Sequence, residues 1–468
     1  MPNGHDLVIL GSGSTAFAAA LRAQSLGAKV LMIEKSVPGG TCVNWGCIPS
    51  KTLIHSALFR HEATLGGKTG LGISINGIDF TVLSAHKGRV VQYLRQTKYL
   101  DILSAVPGLT LLKGTGRFLD RQTIEVDDRK IQGDRFLIAT GGSPRIIEFP
   151  GIHEIDYLTS RSALLLKDLP ESLLIIGGGV IALELGQMYH RLGIRVTVLE
   201  HGPKVLPSVE DEPALELQQA LIAEGMEIVL NVSICSVRKD NGAATVYADL
   251  HGERKEYSAE RLLLAVGTAP ASTNIGLEKA GVEIDARGFI KVDESMRTTA
   301  EGIWAAGDVI GGMMIATVGA REGIVAVDNM LRPDCGCRMD YLTTPMAIFT
   351  DPELGMVGYS EDDAKKAGFT VVTSILAAKD IPKAHVTGST AGLIKMIADK
   401  ESGRLLGVHL LCHRGAELIN EAALAIRLRA TIDDMVNTLH VYPSMGEGLR
   451  LCAQGFSRDV RRLSCCAE

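Results

Sequence analysis

The sequence predicts an α/β protein with two Rossmann-like βαβ domains followed by a smaller α+β domain. Two glycine-rich strand–turn–helix patterns with the same internal spacing lie near residues 7–34 and 172–200. Beyond Thr343 the pattern changes to alternating apolar strands with a helix pattern at 416–428. Strands that alternate with helices are typical of parallel sheets covered by helices, whereas the last quarter reads as a separate α+β unit.

Length and composition are those of an ordinary globular protein. The 468 residues predict two to four domains, and 46% hydrophobic with 22% charged residues is a usual balance. The net charge of −6 is spread along the chain, so neither nucleic acid nor a membrane surface is expected as a partner. Uncharged stretches such as 172–183 are shorter than the ~20 residues of a membrane span, and so is the longest of them, 262–277.

The first glycine pattern, LVILGSGSTAFAAALRAQSLGAKVLMIEK, has the order expected of a dinucleotide site. Gly11 and Gly13 permit the tight turn and the approach of a pyrophosphate to the helix N-terminus, and Ala16 completes the fingerprint. Glu34 ends the second strand and is placed to accept a hydrogen bond from a ribose hydroxyl. The strand, helix and acidic residue together make this a specific signal.

The second pattern, LLIIGGGVIALELGQMYHRLGIRVTVLE, repeats that order with Gly177, Gly179, Ala182 and Glu200. Two dinucleotide sites in one chain usually hold a bound flavin and a mobile nicotinamide. We therefore predict that the chain binds one FAD and one NAD(P)H.

Shorter segments support this division. Thr140 and Gly141 follow one strand-like run, Gly267 follows another, and Asp308 follows the tight turn of AAGD. The predicted domains are listed in chain order: 1–150, the first part of an FAD-binding domain; 151–270, an NAD(P)H-binding domain; 271–338, the second part of the FAD-binding domain; 339–468, an interface domain.

Two cysteine pairs stand out, Cys42/Cys47 in GGTCVNWGCIPSK and Cys465/Cys466 near the end. Adjacent cysteines close into a disulfide only with a strained ring, whereas as thiolates they form a compact site for a soft metal ion. Nine cysteines in a long chain that begins directly with a strand favour a reducing, cytoplasmic location, in which a disulfide is expected to be catalytic.

The segment CVNWGCIPSK, the two fingerprints, AAGD and FTDPE resemble the flavoprotein disulfide reductases, in the family's order and over the whole chain. The resemblance implies that Cys42 exchanges with substrate and that Cys47 lies against the flavin. It also implies that Lys51 lies beside the flavin with Glu184 as its ion-pair partner, and that Asp308 binds the flavin's ribityl chain or phosphate. A homodimer is implied as well.

The C-terminal sequence indicates which members of this family the chain resembles. Disulfide-cleaving members have a histidine acid where this chain has Tyr442, and a phenol with a pKa near 10 is a poor proton shuttle at neutral pH. His440, two residues earlier, is a weaker candidate for that role. Tyr442, the segment Lys98–Tyr99 and the terminal Cys-Cys together resemble mercuric reductases.

That resemblance implies a reaction. Cys465 and Cys466, from the other subunit, would take Hg(II) from small thiols and pass it to Cys42 and Cys47, with Tyr99 and Tyr442 lining the site. NAD(P)H would supply two electrons through FAD, and elemental mercury would leave. Thiol exchange suits a soft ion, because a chain of thiol pairs keeps it coordinated at every step.

Four questions stay open from the sequence. Mercuric reductases favour NADPH, whereas Glu200 favours NADH, with Lys204 as a partial counterweight. The alternative functions are a thiol/disulfide reductase with a C-terminal electron relay, and a metal-sequestering flavoprotein without turnover. Cys335 and Cys337 are interpreted as an exposed loop pair rather than auxiliary thiols, and an N-terminal metal-binding domain is either naturally absent or removed.

Overall fold

Five parallel strands form the sheet of the first Rossmann-like unit, and the computed structural model describes residues 4–462 except Asn241, without the side chains of Lys68 and Arg461. In spatial order the strands are Ile303–Ala305, Phe136–Ile138, Leu7–Leu10, Val30–Glu34 and Leu109–Lys113. The helices that pack together on this sheet are Ser14–Ser25 and Ala316–Leu331. The strand at 303–305 brings the segment before Asp308 into the first unit, as the family resemblance implies.

A second parallel sheet repeats this arrangement with four strands. They are, in spatial order, Glu227–Val229, Arg195–Leu199, Ser172–Ile176 and Arg261–Leu264. The helices of this unit are Val180–Arg191 and Asp211–Glu224, and an antiparallel sheet of Val232–Asp240, Ala243–Leu250 and Glu253–Ala259 covers one side. The buried runs LVIL and SLLII explain why both central strands are parallel and covered on two faces.

The redox segment lies on a helical excursion after the second strand of the first unit. Its helices are Gly40–Trp45, Cys47–Lys68, Phe80–Arg95 and Asp101–Ala105, with one π-helical turn at Gln96–Leu100. Asp79 begins the third helix by accepting a hydrogen bond from the Val82 amide, 3.1 Å away. The π-helical turn carries Tyr99, and such local widenings are frequent at functional sites.

Short elements connect the units. An antiparallel pair, Gly142–Pro144 with Thr268–Pro270, joins the ends of the two parallel sheets. A three-stranded sheet is formed by Gly116–Asp120, Thr123–Val126 and Arg129–Gln132, and two short helices span Ser160–Ala163 and Leu277–Ala280. Single 3₁₀ turns lie at Ile152–Glu154, Asp308–Ile310, Pro333–Cys335, Ala378–Asp380 and Val460–Arg462.

The C-terminal unit is a five-stranded antiparallel sheet with helices, so the α/β fold class with a C-terminal α+β domain is confirmed. Its strands are, in spatial order, Met346–Ile348, Glu353–Gly358, Leu405–Cys412, Leu393–Asp399 and Val371–Ala377. Its helices are Glu361–Lys366, Pro382–Thr387, Gly415–Arg427, Ile432–Asn437 and Glu447–Gln454. The helix predicted at 416–428 begins and ends one residue earlier. The domain limits stay a prediction.

One apolar cluster ties the three parts of the chain together. Leu53 and Ala57 lie on the helix Cys47–Lys68, called the redox helix below. They pack with Leu183 and Tyr189 of the second unit and with Ile348 of the C-terminal unit. The redox helix is therefore held from both sides by buried side chains. Among the described residues, no helix has the length and apolar character needed to cross a bilayer.

Candidate active site

Cys42 and Cys47 lie on two consecutive helices that break at Gly46. Cys42 is inside Gly40–Trp45, Cys47 is the first residue of Cys47–Lys68, and both thiols are free. A Cβ at Gly46 would meet Thr41 O at 3.0 Å, so a side chain there would crowd the turn that brings the sulfurs together. The two side chains are hydrogen-bonded to each other.

The hydrogen bond decides which sulfur carries the charge. The hydrogen bond from Cys42 lowers the pKa of Cys47 to about 7, with the positive charge of Lys51 as a further cause, although burial acts in the opposite direction. The pKa of Cys42 is raised by the same hydrogen bond and then by burial. Cys42 is thus the thiol that donates and Cys47 the thiolate that accepts, as the family resemblance implies for the sulfur beside the flavin.

Lys51 and Glu184 form an ion pair between the redox helix and the second unit. Lys51 Nζ lies 2.6 Å from Glu184 Oε2, and Glu184 is 5% exposed. The other carboxylate oxygen accepts a hydrogen bond from the Phe349 amide at 2.9 Å, and Lys51 Nζ lies 4.7 Å from the Phe349 ring centroid. The pairing expected from the resemblance is present, and the C-terminal unit completes it.

Tyr99 borders the thiol pair. Burial raises the pKa of Tyr99, and the nearby charges of Cys42 and Cys47 raise it further. Its ring packs edge-on against Phe17 with 4.7 Å between centroids. Tyr99 therefore stays a neutral phenol beside the thiolate at neutral pH, and it can donate a hydrogen bond or lie next to a bound metal ion.

A cavity of about 260 Å³ opens beside Cys47 and joins the first and second units. It is lined by Cys47, Lys51, Glu184, Gly142, Asp308 and Gly267, among others. Burial raises the pKa of Asp308, and the residue lies at the start of a 3₁₀ turn directly after Gly307. The cavity brings together side chains that the sequence analysis assigned to both cofactors.

The first glycine turn fits a flavin dinucleotide. Gly11 has a φ of +116°, and a Cβ there would meet Ala139 O at 2.2 Å, so the turn requires glycine. Gly13 begins the helix Ser14–Ser25, which leaves its first amides for a pyrophosphate. Thr140 Oγ1 is buried without a hydrogen-bond partner among the described residues, next to Gly141. An orphaned hydroxyl in such a cradle fits a polar group of the cofactor.

The acidic residue and the small residue of the first fingerprint also lie where expected. Glu34 Oε2 accepts a hydrogen bond from Ser12 Oγ at 2.7 Å, and Oε1 accepts one from the Ser36 amide at 2.7 Å. Ala16 is fully buried, so it provides the close helix–sheet packing of the fingerprint. Glu34 retains lone pairs that can accept from a ribose hydroxyl.

The second glycine turn is built in the same way. A Cβ at Gly177 would meet Ala265 O at 2.5 Å, and Ala182 is fully buried. Gly179 begins the helix Val180–Arg191, and Gly267, with a φ of +104°, lines the cavity. These residues fit the diphosphate and nicotinamide ribose of a second dinucleotide.

Glu200 closes this turn from the strand end. Its carboxylate accepts hydrogen bonds from the Gly178 amide and, at 2.6 Å, from the Gly202 amide. Lys204 donates to Val209 O at 2.7 Å and pairs with Asp211. Because Lys204 is bound in this way, it is a weaker counterweight to Glu200 than the sequence suggested.

Tyr442 lies away from this cavity in the chain as described. Its side chain is 47% exposed, and its neighbours Leu439 and Val441 are 79% and 78% exposed. Tyr442 is not among the residues that line the 260 Å³ cavity. An exposed apolar segment of this kind fits a subunit interface, which is where the resemblance places this tyrosine. Cys465 and Cys466 lie outside the described residues.

His440 is engaged elsewhere. Its Nε2 lies 2.7 Å from Glu421 Oε1, and its Nδ1 lies 2.9 Å from Thr438 O. The hydrogen bond that His440 donates to Glu421 raises the pKa of His440. With both ring nitrogens in contact with protein oxygens, His440 is a poor substitute for the missing acid histidine.

Two cavity residues were missed by the sequence analysis. The Arg161 guanidinium lies 4.1 Å from the Trp45 ring centroid, and both side chains line the cavity beside Cys47. Burial lowers the pKa of Arg161, and Trp45 Nε1 is buried without a partner among the described residues. A tryptophan within the Cys-x4-Cys segment was a signal that could have been used; the position of Arg161 had none.

Disulfide formation also differs from expectation. Cys335 and Cys337 are joined in a disulfide, whereas Cys42 and Cys47 are free. Cys335 and Cys337 are half-buried between exposed neighbours, after the end of the helix Ala316–Leu331. The sequence led us to expect that a disulfide would be catalytic, whereas this disulfide does not line the cavity beside Cys47.

Comparison with known proteins agrees with the fold and the site described above. Residues 5–323 match the family described as pyridine nucleotide-disulphide oxidoreductase, and residues 344–453 match its dimerisation domain. Mercuric reductases from Acidithiobacillus ferrooxidans and Staphylococcus aureus are 39% and 37% identical, over 98% and 99% of this chain and 84% of each relative. The Streptomyces lividans mercuric reductase is 37% identical over 99% of this chain and 98% of its own length.

A solved structure gives the same answer for the fold. The Cu(II) complex of the HOCl-induced flavoprotein disulfide reductase RclA from Escherichia coli is 29% identical, with a TM-score of 0.86. The match covers 97% of this chain and 99% of that chain.

Proposed function

Because the chain belongs to the pyridine nucleotide-disulphide oxidoreductase family, as an NAD(P)H-dependent flavoprotein oxidoreductase, we propose that its substrate is Hg(II) bound to small thiols. The observation that carries the proposal is the Cys42–Cys47 pair beside a half-buried, neutral Tyr99, in a chain with tyrosine at position 442. A thiol–thiolate pair binds a soft ion. The histidine that acts as the acid in disulfide cleavage is replaced by Tyr442, which makes disulfide cleavage the less favoured reaction.

The residues around the cavity divide the work. When bound, FAD supplies the two-electron link between NAD(P)H and the thiol pair, and Gly11, Gly13, Ala16, Glu34, Thr140, Gly141 and Asp308 would hold it. Lys51 provides positive charge that favours the Cys47 thiolate, and Glu184 holds Lys51 in place. Gly177, Gly179, Ala182, Glu200 and Gly267 would hold the nicotinamide dinucleotide.

The ion is transferred by ligand exchange before it is reduced. The Cys47 thiolate bonds to Hg(II) and displaces one external thiolate, and Cys42 then bonds to the ion, displaces the second external thiolate and gives its proton to that leaving group. Hg(II) then accepts two electrons that originate from NAD(P)H, and elemental mercury is released while the two sulfurs return to the thiol–thiolate pair. Tyr99 contributes a neutral phenol at the edge of the pair, which neither repels the ion nor binds it too tightly.

Delivery to this pair is assigned to the C-terminal cysteines. We propose that Cys465 and Cys466 of one subunit present Hg(II) to Cys42 and Cys47 of the other, beside Tyr442. The support is the family's dimerisation domain, which matches residues 344–453, together with the exposed Leu439–Tyr442 segment. The carrier role rests on the resemblance to mercuric reductases, since these cysteines lie outside the described residues.

The nicotinamide preference is part of the proposal. The resemblance to mercuric reductases favours NADPH as the donor, whereas the Glu200 carboxylate repels a 2′-phosphate and Lys204 is already bound to Asp211. We therefore propose that NADH is accepted beside NADPH.

The test is anaerobic oxidation of NADPH and of NADH with Hg(II) in excess small thiol, beside a panel of disulfides. We expect mercury-dependent oxidation that is lost in Cys42→Ala and weakened at low thiol concentration in Cys465→Ala/Cys466→Ala. Rapid turnover with a disulfide and none with Hg(II) would overturn the proposal and favour a thiol reductase with a C-terminal relay. Binding of Hg(II) without any nucleotide oxidation would instead indicate a sequestering flavoprotein.

A further inference from the structure

Cys335, Gly336 and Cys337 form a compact sulfur pair outside the active site. The two sulfurs are bonded, and the Cα atoms are 5.3 Å apart. Gly336 has a φ of +55°, in the left-handed region that favours glycine, and this turn places both side chains on the same side of the chain. Two sulfurs that reach each other can also reach one common metal ion.

The turn is anchored rather than loose. It follows the helix Ala316–Leu331, and the Cys335 amide donates to Arg332 O at 2.9 Å. Asn329, which is 3% exposed, donates from Nδ2 to Cys337 O at 2.8 Å. A pair whose backbone is already held in place loses little conformational freedom when it binds an ion.

The surroundings favour sulfur in its anionic form. The Cys337 amide lies 3.3 Å from Cys335 Sγ and points its N–H at that sulfur. Cys335 Sγ also lies 3.6 Å from Asn329 Oδ1, which accepts from the neutral thiol and acts against the thiolate, so the Cys337 amide is the contact that favours the charged form. An amide donor to a thiolate stabilises the charged form, which is the form that binds metal.

The thioether sulfur of Met339 is a further soft atom on the same segment. Met339 follows Cys337 by two residues, and both side chains pack against the apolar cluster of the first unit that contains Trp304 and Met330. A thioether and two thiolates on one short segment suit a thiophilic ion rather than a hard cation such as Mg²⁺. Cys335 and Cys337 are half-buried between exposed residues, so exchange with external thiols is open to them.

We propose that Cys335 and Cys337, when reduced, form a second chelating site for a soft thiophilic cation, for which Hg(II) is the probe. Reduction consumes two equivalents of a small monothiol, which leave as its disulfide. Binding then exchanges two external thiolates on Hg(II) for the two cysteine sulfurs, and the cysteine protons leave with the displaced thiols. The site goes beyond the reduction proposed above and does not depend on turnover.

The experiment uses the full-length, FAD-loaded protein reduced with a monothiol, loaded with Hg(II) and dialysed against a large excess of the same monothiol. A chelate withstands such competition, whereas a single thiol does not. We expect Cys335→Ser/Cys337→Ser to retain about one Hg(II) per subunit less than the unsubstituted protein, and Cys337→Ser alone to lose the same ion. Equal retention in the double variant and the unsubstituted protein would overturn the proposal.

Two controls make the result specific. Cys235→Ser removes an exposed, free cysteine and should leave retention unchanged. Gly336→Ala keeps both sulfurs but strains the left-handed turn, and nothing lies within 4 Å of the added Cβ, so weaker retention there would support the chelate geometry.

Mercury-dependent NAD(P)H oxidation at saturating Hg(II) separates this site from the active site. We expect the double variant to keep that activity and its FAD content. Retention of the extra ion by a protein without such activity would leave this site standing and overturn the proposed function alone. A pair that cycles between disulfide and dithiol but never retains Hg(II) would overturn the chelating site.

Discussion

Lys51 Nζ lies 2.6 Å from Glu184 Oε2, across the junction between the redox helix and the first helix of the second Rossmann-like unit. The two side chains act on Cys47 in opposite directions: Lys51 lowers the pKa of Cys47, and Glu184 raises it. The pair therefore sets the charge of the inner sulfur as well as joining two units.

Opposite substitutions at this pair should shift Cys47 in opposite directions. In the Cys42→Ser protein, Lys51→Met should raise the pH midpoint for alkylation of Cys47, and Glu184→Gln should lower it. At pH 6 the rates should change severalfold, since about one pKa unit is a tenfold change in thiolate at low pH. The measurement is the rate of iodoacetamide labelling of the Cys47 peptide by mass spectrometry, and parallel shifts in both variants would contradict the assignment.

The hydrogen bond from Cys42 is the largest cause of the low pKa of Cys47. Cys42→Ser keeps a hydroxyl that can donate, whereas Cys42→Ala keeps nothing. We expect the labelling of Cys47 to have its midpoint near pH 7 in the serine variant and at clearly higher pH in the alanine variant. Identical midpoints would show that Lys51, rather than the neighbouring thiol, controls the charge of Cys47.

Glu200 should control the choice of nicotinamide dinucleotide. Glu200→Gln keeps a carbonyl oxygen that can accept from the Gly178 or Gly202 amide but removes the charge that repels a 2′-phosphate. We expect the ratio of kcat/KM for NADPH to that for NADH to rise by about tenfold, which corresponds to about 1.4 kcal/mol.

Lys204→Met is the matched comparison for that change. Because Lys204 already pairs with Asp211 and Val209 O, its removal should change the ratio little. A large drop in NADPH use in this variant would mean that Lys204 leaves Asp211 to bind the phosphate.

Arg161 and Trp45 offer a direct optical probe of the cavity. The chain has two tryptophans, and Trp304 is buried in the first unit, so the Trp304→Phe protein reports on Trp45. Arg161→Gln should shift the Trp45 emission because it removes the cation over the indole ring, and it should weaken nicotinamide dinucleotide binding severalfold because it removes a positive charge from the cavity wall. Emission that is unaffected by both the substitution and the dinucleotide would exclude this pair from the binding site.

The sequence predicted those parts of the site that depend on residues close together in the chain. The glycine turns at Gly11 and Gly177 were readable because backbone clashes with Ala139 and Ala265 leave room for no other residue. The Lys51–Glu184 pair could be expected only through the family resemblance, because nothing in the spacing of two distant residues indicates a contact.

Other features depend on tertiary contacts that no pattern encodes. Arg161 reaches Trp45 only because the second unit packs against the redox helix. The disulfide between Cys335 and Cys337 could not be read from composition, because its geometry is set by the end of a long helix and by the Gly336 turn.

Arg191 should be the strongest stabilising contact between the units. It is 6% exposed and pairs with Glu224 at 2.6 Å and with Asp351 of the C-terminal unit at 2.8 Å, while its carbonyl accepts from Arg60 of the redox helix. Arg191→Met leaves two carboxylates without their cation, and losing one partner of a buried ion pair costs about 3–5 kcal/mol. Because Arg191 joins all three parts, we expect a lower denaturant midpoint. We also expect loss of the Lys51–Glu184 contact, seen as a higher pH midpoint for Cys47 labelling.

The matched control is Lys255→Met, which breaks an exposed pair with Glu253 and should change neither the denaturant midpoint nor the Cys47 labelling. If Arg191→Met lowered the denaturant midpoint but left Cys47 labelling unchanged, the junction would stabilise the fold without positioning the redox helix.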